Sequence, residues 1–395
     1  MRVLVVNAGS SSLKLRVLDS SDKVTGAADL PAPQGAADAA AMESALASLG
    51  DAKAAGYRIV HGGTSFTAPV RIGDGVLARL RALTDLAPLH QPKSLAAVEA
   101  VQRARPGLPG VACFDTAFHA TIPAAAATYA LPHEWRQRWA LRRYGFHGLS
   151  HSYCSRRAAE LAGGGPLRVV TCHLGAGASL AAVYGGVSVD TTMGFTPLEG
   201  LVMATRSGTV DPGLVLWLAE HAGTPAAELA ATLEHRSGLL GLAGTADMRE
   251  VVAAAAAGGK DARLALDVYT HRLRAGIAAM AAALGGLDVL VFTGGVGENS
   301  PTVRSEAAAG LGFLGVHLDA GRNEADGYAA GDPAGGHPAA GDPPAGSSAA
   351  DREIGDPGAP VRSFVIAARE DIEIAGQVRT VLAADGPGGA VSRRG

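Results

Sequence analysis

One design occurs twice in this chain, and it limits the folds open to it more than any other feature. The four consecutive apolar residues Val3-Leu4-Val5-Val6 predict a buried strand, and the alternation Leu13, Lys14, Leu15, Arg16, Val17 predicts a second strand with one polar face. Between them stands a turn of small residues, Gly9-Ser10-Ser11-Ser12. From Leu167 to Val183 the same order returns: an apolar strand, the turn Gly175-Ala176-Gly177-Ala178-Ser179, and a further apolar strand. A hairpin of this kind opening each half of the chain predicts a duplicated α/β fold. Taken singly, each is either a plain edge turn or a turn that directs N–H and O–H donors at an anion such as phosphate, since glycine admits close approach and serine supplies hydroxyls.

With 395 residues, 48% of them hydrophobic, the chain can build two or more cores. With a net charge of −3, nothing suggests an electrostatic grip on nucleic acid or an anionic membrane, so any anion site must be local. Cys113, Cys154 and Cys172 have neither metal-ligand spacing nor a pairing framework, which points to a reducing compartment. The apolar run at the N-terminus is too short for a signal peptide and no stretch has the length of a membrane span, so the expected location is cytoplasmic.

Along the chain, strands deliver polar residues to glycine-rich ends. Tyr57 to Gly63 brings Arg58 and His61 to a glycine pair, with Arg58 readable as a surface charge or as part of a site. After the loop Ala87 to Pro92 comes a predicted helix over Lys93 to Arg105, and Gly110 to Thr116 is a buried strand ending on Asp115. Carboxyl ends of α/β strands are where ligands sit, so Asp115 is placed for chemistry, or else caps a turn. Tyr144 to His151 packs two histidines and two aromatics among glycines, as a substrate pocket would; His151 is the one expected to be structural. The stretch Asp190 to Pro212 has no clean period and carries Arg206, and long ordered loops in compact domains are commonly functional. Asp261 to Leu284 predicts the longest helix, with Leu266, Leu273, Ile277, Met280 and Leu284 on a core or interface face. Leu287 to Pro301 reads as strand, glycine turn and helix start capped by Ser300. Residues 323–360 are rich in Gly, Ala, Pro and Asp, which predicts a mobile surface insertion. The acidic group after the strand Val361 to Ile366 is a magnesium site or an ordinary charged helix start.

Eight ordered segments, NAGSSSLK, RIVHGG, APLHQP, FDTAFH, YGFHGLSH, HLGAGAS, MGFTPLEGLVMATRSGTVDP and FTGGVGENS, closely resemble the acetokinase family from Val3 to Ile374. The resemblance implies a duplicated, actin-like (ribonuclease H-like) two-domain ATPase fold with ATP in the cleft between the domains. The domains expected are 1–117, completed by 371–395, and 118–370, which binds nucleotide and builds a homodimer. It implies Arg58, Asp115, His147 and Arg206 as the catalytic set. Asn7 and Glu370 would position Mg²⁺, with Mn²⁺ as the alternative ion, and Lys14 would contact the nucleotide. Arg58, with Val60, Leu89, Phe146 and Pro197 as the apolar pocket for a methyl group, would bind the substrate. Phosphate contacts fall on His173, Leu174, Gly175, Ala176 and Gly177. Adenosine contacts fall on Asp247, Met248 and Arg249 and on Gly295, Val296, Gly297, Glu298 and Asn299. Ala176 and Gln91 stand where the family usually has asparagine, and Leu149 where it has threonine, so one side-chain donor to the phosphates is missing.

The activity implied is reversible, direct in-line phosphoryl transfer from ATP to acetate; a propionate or other short-chain acyl kinase is the alternative. Such chemistry asks mainly for positioning and for stabilisation of the γ-phosphoryl group in flight. A carboxylate acceptor is already ionised and needs no general base, whereas an alcohol would need Asp115 to take its proton. The difficulty is bringing one anion up to another, and the forks of Arg58 and Arg206 suit that task. The arginines therefore favour an acyl acceptor over a sugar.

Overall fold

The computed structural model describes residues 1–9, 12–32, 38–88, 90–325 and 351–385. The chain divides into two compact units, residues 1–120 with 146–153 and 369–395, and residues 121–145 with 154–368. The segment 146–153, which carries His147, therefore belongs with the first unit although it lies beyond the expected boundary at 117.

The first unit holds a sheet of strands β1 (Val3–Ala8), β2 (Ser12–Leu18), β3 (Val24–Pro31), β4 (Ala54–Ile59), β5 (Val70–Arg71) and β6 (Gly110–Phe114). Their order is β3-β2-β1-β4-β6-β5: an antiparallel meander, then parallel β1, β4 and β6, then the antiparallel edge strand β5. The opening apolar run is continuous because both faces of β1 are covered. Leu4 and Val6 face one core, beneath the helices Ala39–Ser48 and Gln91–Ala104, whereas Val3 and Val5 face another that contains Leu149, Ile374 and Val378. Strand β3 lies in a stretch whose Ala, Pro and Gly content gave no strand signal. Its residues alternate between half-buried and exposed with none fully buried, as an edge strand permits.

The second unit repeats this plan with β7 (Arg168–Leu174), β8 (Ala178–Tyr184), β9 (Val187–Thr191), β10 (Val289–Thr293), β11 (Arg352–Glu353) and β12 (Arg362–Val365), in the order β11-β12-β10-β7-β8-β9. Strands β7, β10 and β12 are parallel and β8, β9 and β11 antiparallel, so each of the first unit's strands has a counterpart. The two hairpins also match in register. Asn7 faces Lys14 one step before the turn of the first, and His173 faces Ser179 one step before the turn of the second.

Helix Lys260–Leu284 packs on β7 and β8 with Leu266, Leu273, Ile277 and Met280 buried, so these four residues of the predicted stripe are core, whereas Leu284 at the helix end is only half-buried. The stretch 323–360 is not all insertion. Asn323 is buried, Arg352–Glu353 is a paired strand and Ile354 is buried, while residues 326–350 lie outside the described residues. Composition missed these ends because their contacts are made by a few residues in low-complexity surroundings.

The C-terminal helix Glu370–Ala384 sits directly on β4: a Cβ at Gly56 would lie 2.5 Å from Ile374 Cγ2 and 2.6 Å from Val378 Cγ2. Gly56→Ala is expected to destabilise the protein by about 1–3 kcal/mol through this overpacking, read as a lower urea midpoint at unchanged m-value. An unchanged midpoint would show that the helix can move away without cost.

Candidate active site

In the first unit, neighbouring parallel strands carry Asn7 and Arg58 one residue before their ends and Asp115 one residue after. Their register puts Val6 beside Tyr57 and Arg58 beside Cys113, so the three polar residues lie together near the ends of the three strands. Arg58 is held as a fork: Nε donates to Asp115 Oδ1 and Oδ2 at 3.1 and 3.0 Å, and NH2 donates to Oδ2 at 2.7 Å. Its NH1 donates to Asn7 Oδ1 at 3.2 Å and stands 3.8 Å from Glu370 Oε2. Asn7 Nδ2 in turn donates to Glu370 Oε2 at 3.0 Å.

The surface-charge reading of Arg58 falls, since its side chain is 17% exposed, and so does the capping reading of Asp115, whose 1% exposed carboxylate meets the guanidinium. Burial pushes the Asp115 carboxyl above the ordinary carboxylate value, and Arg58 pulls against it. The bidentate contact with a permanent cation holds the group as carboxylate at neutral pH.

The acidic cluster after β12 is a helix start, and its carboxylates separate in role. Glu370 turns to Asn7 and Arg58, Asp371 pairs with Arg369 at 2.8 Å, and Glu373 accepts from Ser152 Oγ at 3.0 Å. Asn7 and Glu370 offer the hard oxygen donors that Mg²⁺ takes, and both contacts of Glu370 run to Oε2. Among the described residues no three His, Cys, Asp or Glu side chains gather as a metal site. Mg²⁺ commonly keeps several waters and takes few carboxylates, and the Asn7 and Glu370 side chains fit such an ion.

His147 is one of three non-glycine described residues with positive φ, at +56°. Such backbone persists only where its surroundings over-determine it, and it clusters at functional sites. The restraints are visible on either side. Gly148 N–H donates to Asp115 O at 2.9 Å, and the Phe146 carbonyl accepts from buried His119 Nε2 at 3.1 Å. A Cβ at Gly148 would lie 2.2 Å from Asp115 O, so only glycine permits this approach. Val60 and Phe146 are both buried in this unit, and His61 meets the Phe146 ring edge-on at 5.5 Å. Gln91, buried, bonds the backbone N–H and carbonyl of His61. Ser10, Ser11 and Leu89 lie outside the described residues. Lys14 faces Asn7 across the hairpin.

Burial pushes His61 and His119 down to about 4 from 6.5. Both are neutral in the fold: Gly63 N–H donates to His61 Nδ1 at 2.8 Å, which protonation of that nitrogen would break. The unfolded chain gains these protons as pH falls through about 6.5 and the native protein does not, so stability is full above that pH and drains below it. The melting temperature is expected to drop between pH 6.5 and 5, and His119→Gln, which keeps a donor for the Phe146 carbonyl, should flatten the slope. A flat wild-type profile would refute this.

In the second unit, Arg206 has a side chain 19% exposed, and the single carboxylate near it among the described residues is Glu234, 3.9 Å away. NH1 donates to the Pro197 carbonyl at 3.2 Å and meets Met203 Sδ at 3.7 Å. Burial pushes its pKa down, against the pull of Glu234, yet a guanidinium stays charged near neutrality. His173 and Leu174 end β7, and Gly175-Ala176-Gly177 make the tight turn, in which Gly175 N–H donates to Gly177 O at 2.9 Å. Asp247 caps the helix Met248–Ala256 and pairs with Arg249.

The glycines after β10 form a short helix, Gly294–Asn299, where a turn was expected. Glu298 Oε1 accepts from the N–H groups of Gly294 and Ala368, both at 2.9 Å, and Asn299 Nδ2 donates to Gly295 O. Sequence reading passed over fully buried Arg304, whose NH1 donates to the carbonyls of Gly297 and Glu298, both at 2.9 Å, and whose Nε donates to Asn323 Oδ1 at 2.7 Å. No local pattern marks an arginine that points inward.

Two copies of one mixed sheet, each opening on a small-residue hairpin, with charged residues near the strand ends of the first and, in the second, a glycine turn after β7 and a short glycine-rich helix after β10, place the chain in the class of duplicated, actin-like α/β proteins. Comparison with known proteins narrows the class: the Acetokinase family matches residues 31–332. The chain is 44% identical to an acetate kinase of Deinococcus deserti, over 97% of this chain and 98% of that protein. Among solved structures it is similar to Porphyromonas gingivalis acetate kinase (TM-score 0.83, 36% identity, 96% of this chain and 99% of that one). It is also similar to a propionate kinase from Francisella tularensis (TM-score 0.82, 32% identity, 95% and 98%). The chain belongs to the acetokinase family.

Proposed function

We propose that the protein transfers the γ-phosphoryl group of ATP to acetate, giving acetyl phosphate and ADP, and catalyses the reverse. The observation that carries the choice of acceptor is Asp115. In a kinase acting on an alcohol this strand-end carboxylate would take the hydroxyl proton, but here it is 1% exposed and clasped by the Arg58 fork. An acetate oxygen needs no base. It attacks the γ-phosphorus in line as the bond to the ADP oxygen breaks.

In this reading Arg58 receives the acetate carboxylate, with Val60, Leu89, Phe146 and Pro197 around its methyl group. His147 and Arg206 stabilise charge on the phosphoryl group in transit. Lys14, with His173 to Gly177, contacts the phosphates; Asp247 to Arg249 and Gly295 to Asn299 contact the adenosine. Asn7 and Glu370 would position Mg²⁺, on which Asp115 would act directly or through water, and the ion would supply neutralisation of the phosphate charge. The second unit is assigned nucleotide binding and homodimerisation. Its helix Pro212–His221 has no buried residue and exposes Leu216 at 62% and Trp217 at 53%, which supports pairing with a second copy. The three buried cysteines support a cytoplasmic site of action; among the described residues no helix is long and apolar enough to cross a membrane.

Hydroxylamine trapping of acetyl phosphate from acetate, ATP and Mg²⁺ tests the activity, and no product would end the proposal. Inversion at a chiral γ-phosphorus is expected; retention would point to a phosphoenzyme. Similarity to a propionate kinase keeps a longer acyl acceptor as the second reading, decided by relative kcat/KM. One methylene is worth about 10- to 200-fold, so acetate should lead propionate by such a factor.

A further inference from the structure

Within the second unit, side chains to which the sequence reading gave no role converge on the loop before Arg206. Tyr129 OH donates to Glu199 Oε2 at 2.5 Å and accepts from Phe195 N–H at 2.9 Å. Arg143 NH2 donates to Glu199 Oε1 at 2.7 Å, and its NH1 donates to the carbonyls of Thr192 and Met193, both at 3.1 Å. Tyr144 N–H donates to Gly194 O at 3.0 Å. Thus four successive residues of the loop, 192 to 195, have a backbone group bonded to the segment 129–144. Gly194 lies in the middle, where a Cβ would stand 1.7 Å from Glu199 Oε2 and 2.1 Å from the Tyr129 oxygen. Glycine is there because the clamp closes over it.

The far end of the loop is what this arrangement positions. Pro197 follows Phe195 by two residues, and its carbonyl accepts from Arg206 NH1 at 3.2 Å. Glu199 has both oxygens engaged, one by a cation and one by a phenol. Burial, and after it Glu199, push the phenol's pKa up, so Tyr129 keeps the proton it donates.

We propose that Tyr129, Arg143 and Glu199 are positioning residues that hold Pro197 and Arg206 in register, and that through Pro197 they set the size of the acyl group accepted. The inference rests on the acetate reading above. A purely structural staple would change stability alone, whereas this clamp acts on the acceptor side of the reaction.

Tyr129→Phe keeps the ring and removes both hydrogen bonds. Glu199→Gln keeps an acceptor for the phenol and weakens the hold of Arg143. Tyr129→Phe is expected to raise the acetate KM on the order of 10-fold with the ATP KM within about twofold of wild type. It should also raise the propionate-to-acetate ratio of kcat/KM several-fold, and Glu199→Gln should do both to a smaller extent. Amide exchange in residues 192–200 should quicken in both variants while β7 and β10 stay protected. Unchanged acetate KM and ratio, or equal rises in both KM values, would overturn the proposal. If Tyr129→Phe does not fold, Arg143→Lys carries the same comparison. If the wild type makes no acetyl phosphate, the acetate reading fails by itself. The clamp then stands or falls on exchange in 192–200, with unchanged exchange ending it.

Discussion

Arg206→Ala is expected to lower kcat by roughly 10³-fold or more, with acetate and ATP KM values changed far less. The expectation comes from how little opposes this charge in the fold. Its side chain is 19% exposed, its carboxylate neighbour Glu234 stays 3.9 Å away, and its close contacts are the neutral Pro197 carbonyl and Met203 sulfur. A desolvated cation with weak compensation interacts most strongly with an anion whose charge grows or spreads, which describes the phosphoryl group in flight more than either ground-state substrate. Arg206→Lys should recover only part of the rate, because a point charge cannot span two equatorial oxygens. Steady-state kinetics decide the matter: a rise in acetate KM at constant kcat would make Arg206 a binding residue.

Arg58→Ala is expected to cost stability as well as activity, since it leaves the 1% exposed Asp115 carboxylate without its cation. Removing one partner of a buried ion pair typically costs about 3–5 kcal/mol. That is a large share of the roughly 5–15 kcal/mol by which proteins are stable. The double replacement Arg58→Met with Asp115→Leu removes both charges and should recover most of the lost stability, while activity stays lost. Urea denaturation of the two variants, beside the hydroxamate assay, separates the roles. A loss below about 1 kcal/mol in Arg58→Ala would show that water reaches Asp115 and relieves it. Activity returning in the double variant would remove Arg58 from the site.

Strands were legible wherever burial dictated a local pattern. Val3 to Val6 is apolar throughout because helices cover both faces, and the repeated hairpin announced the duplication that the matching strand orders display. Strand β3 was not legible, because its small half-buried residues pack too little surface to mark a period. The ends of the low-complexity stretch were missed for a related reason: Asn323 belongs to the fold through its bonds to Arg304, which composition does not register.

The sequence alone determined which residues stand at the ends of strands, since an apolar run stops where the chain leaves the core and a polar residue can follow. Asn7, Asp115 and the glycines after Thr293 are all placed by that rule. Only the tertiary structure decided which of them act together. Arg58 and Asp115 are 57 residues apart, Tyr129 and Glu199 are 70 apart, and Asn7 and Glu370 are 363 apart. Local propensity carries no information about such partners. Arg58 and Asp115 meet because the parallel strands β4 and β6 end side by side, Asn7 and Glu370 because the C-terminal helix can lie on β4 where Gly56 leaves room for it, and Tyr129 and Glu199 because the loop 192–195 bonds along the segment 129–144.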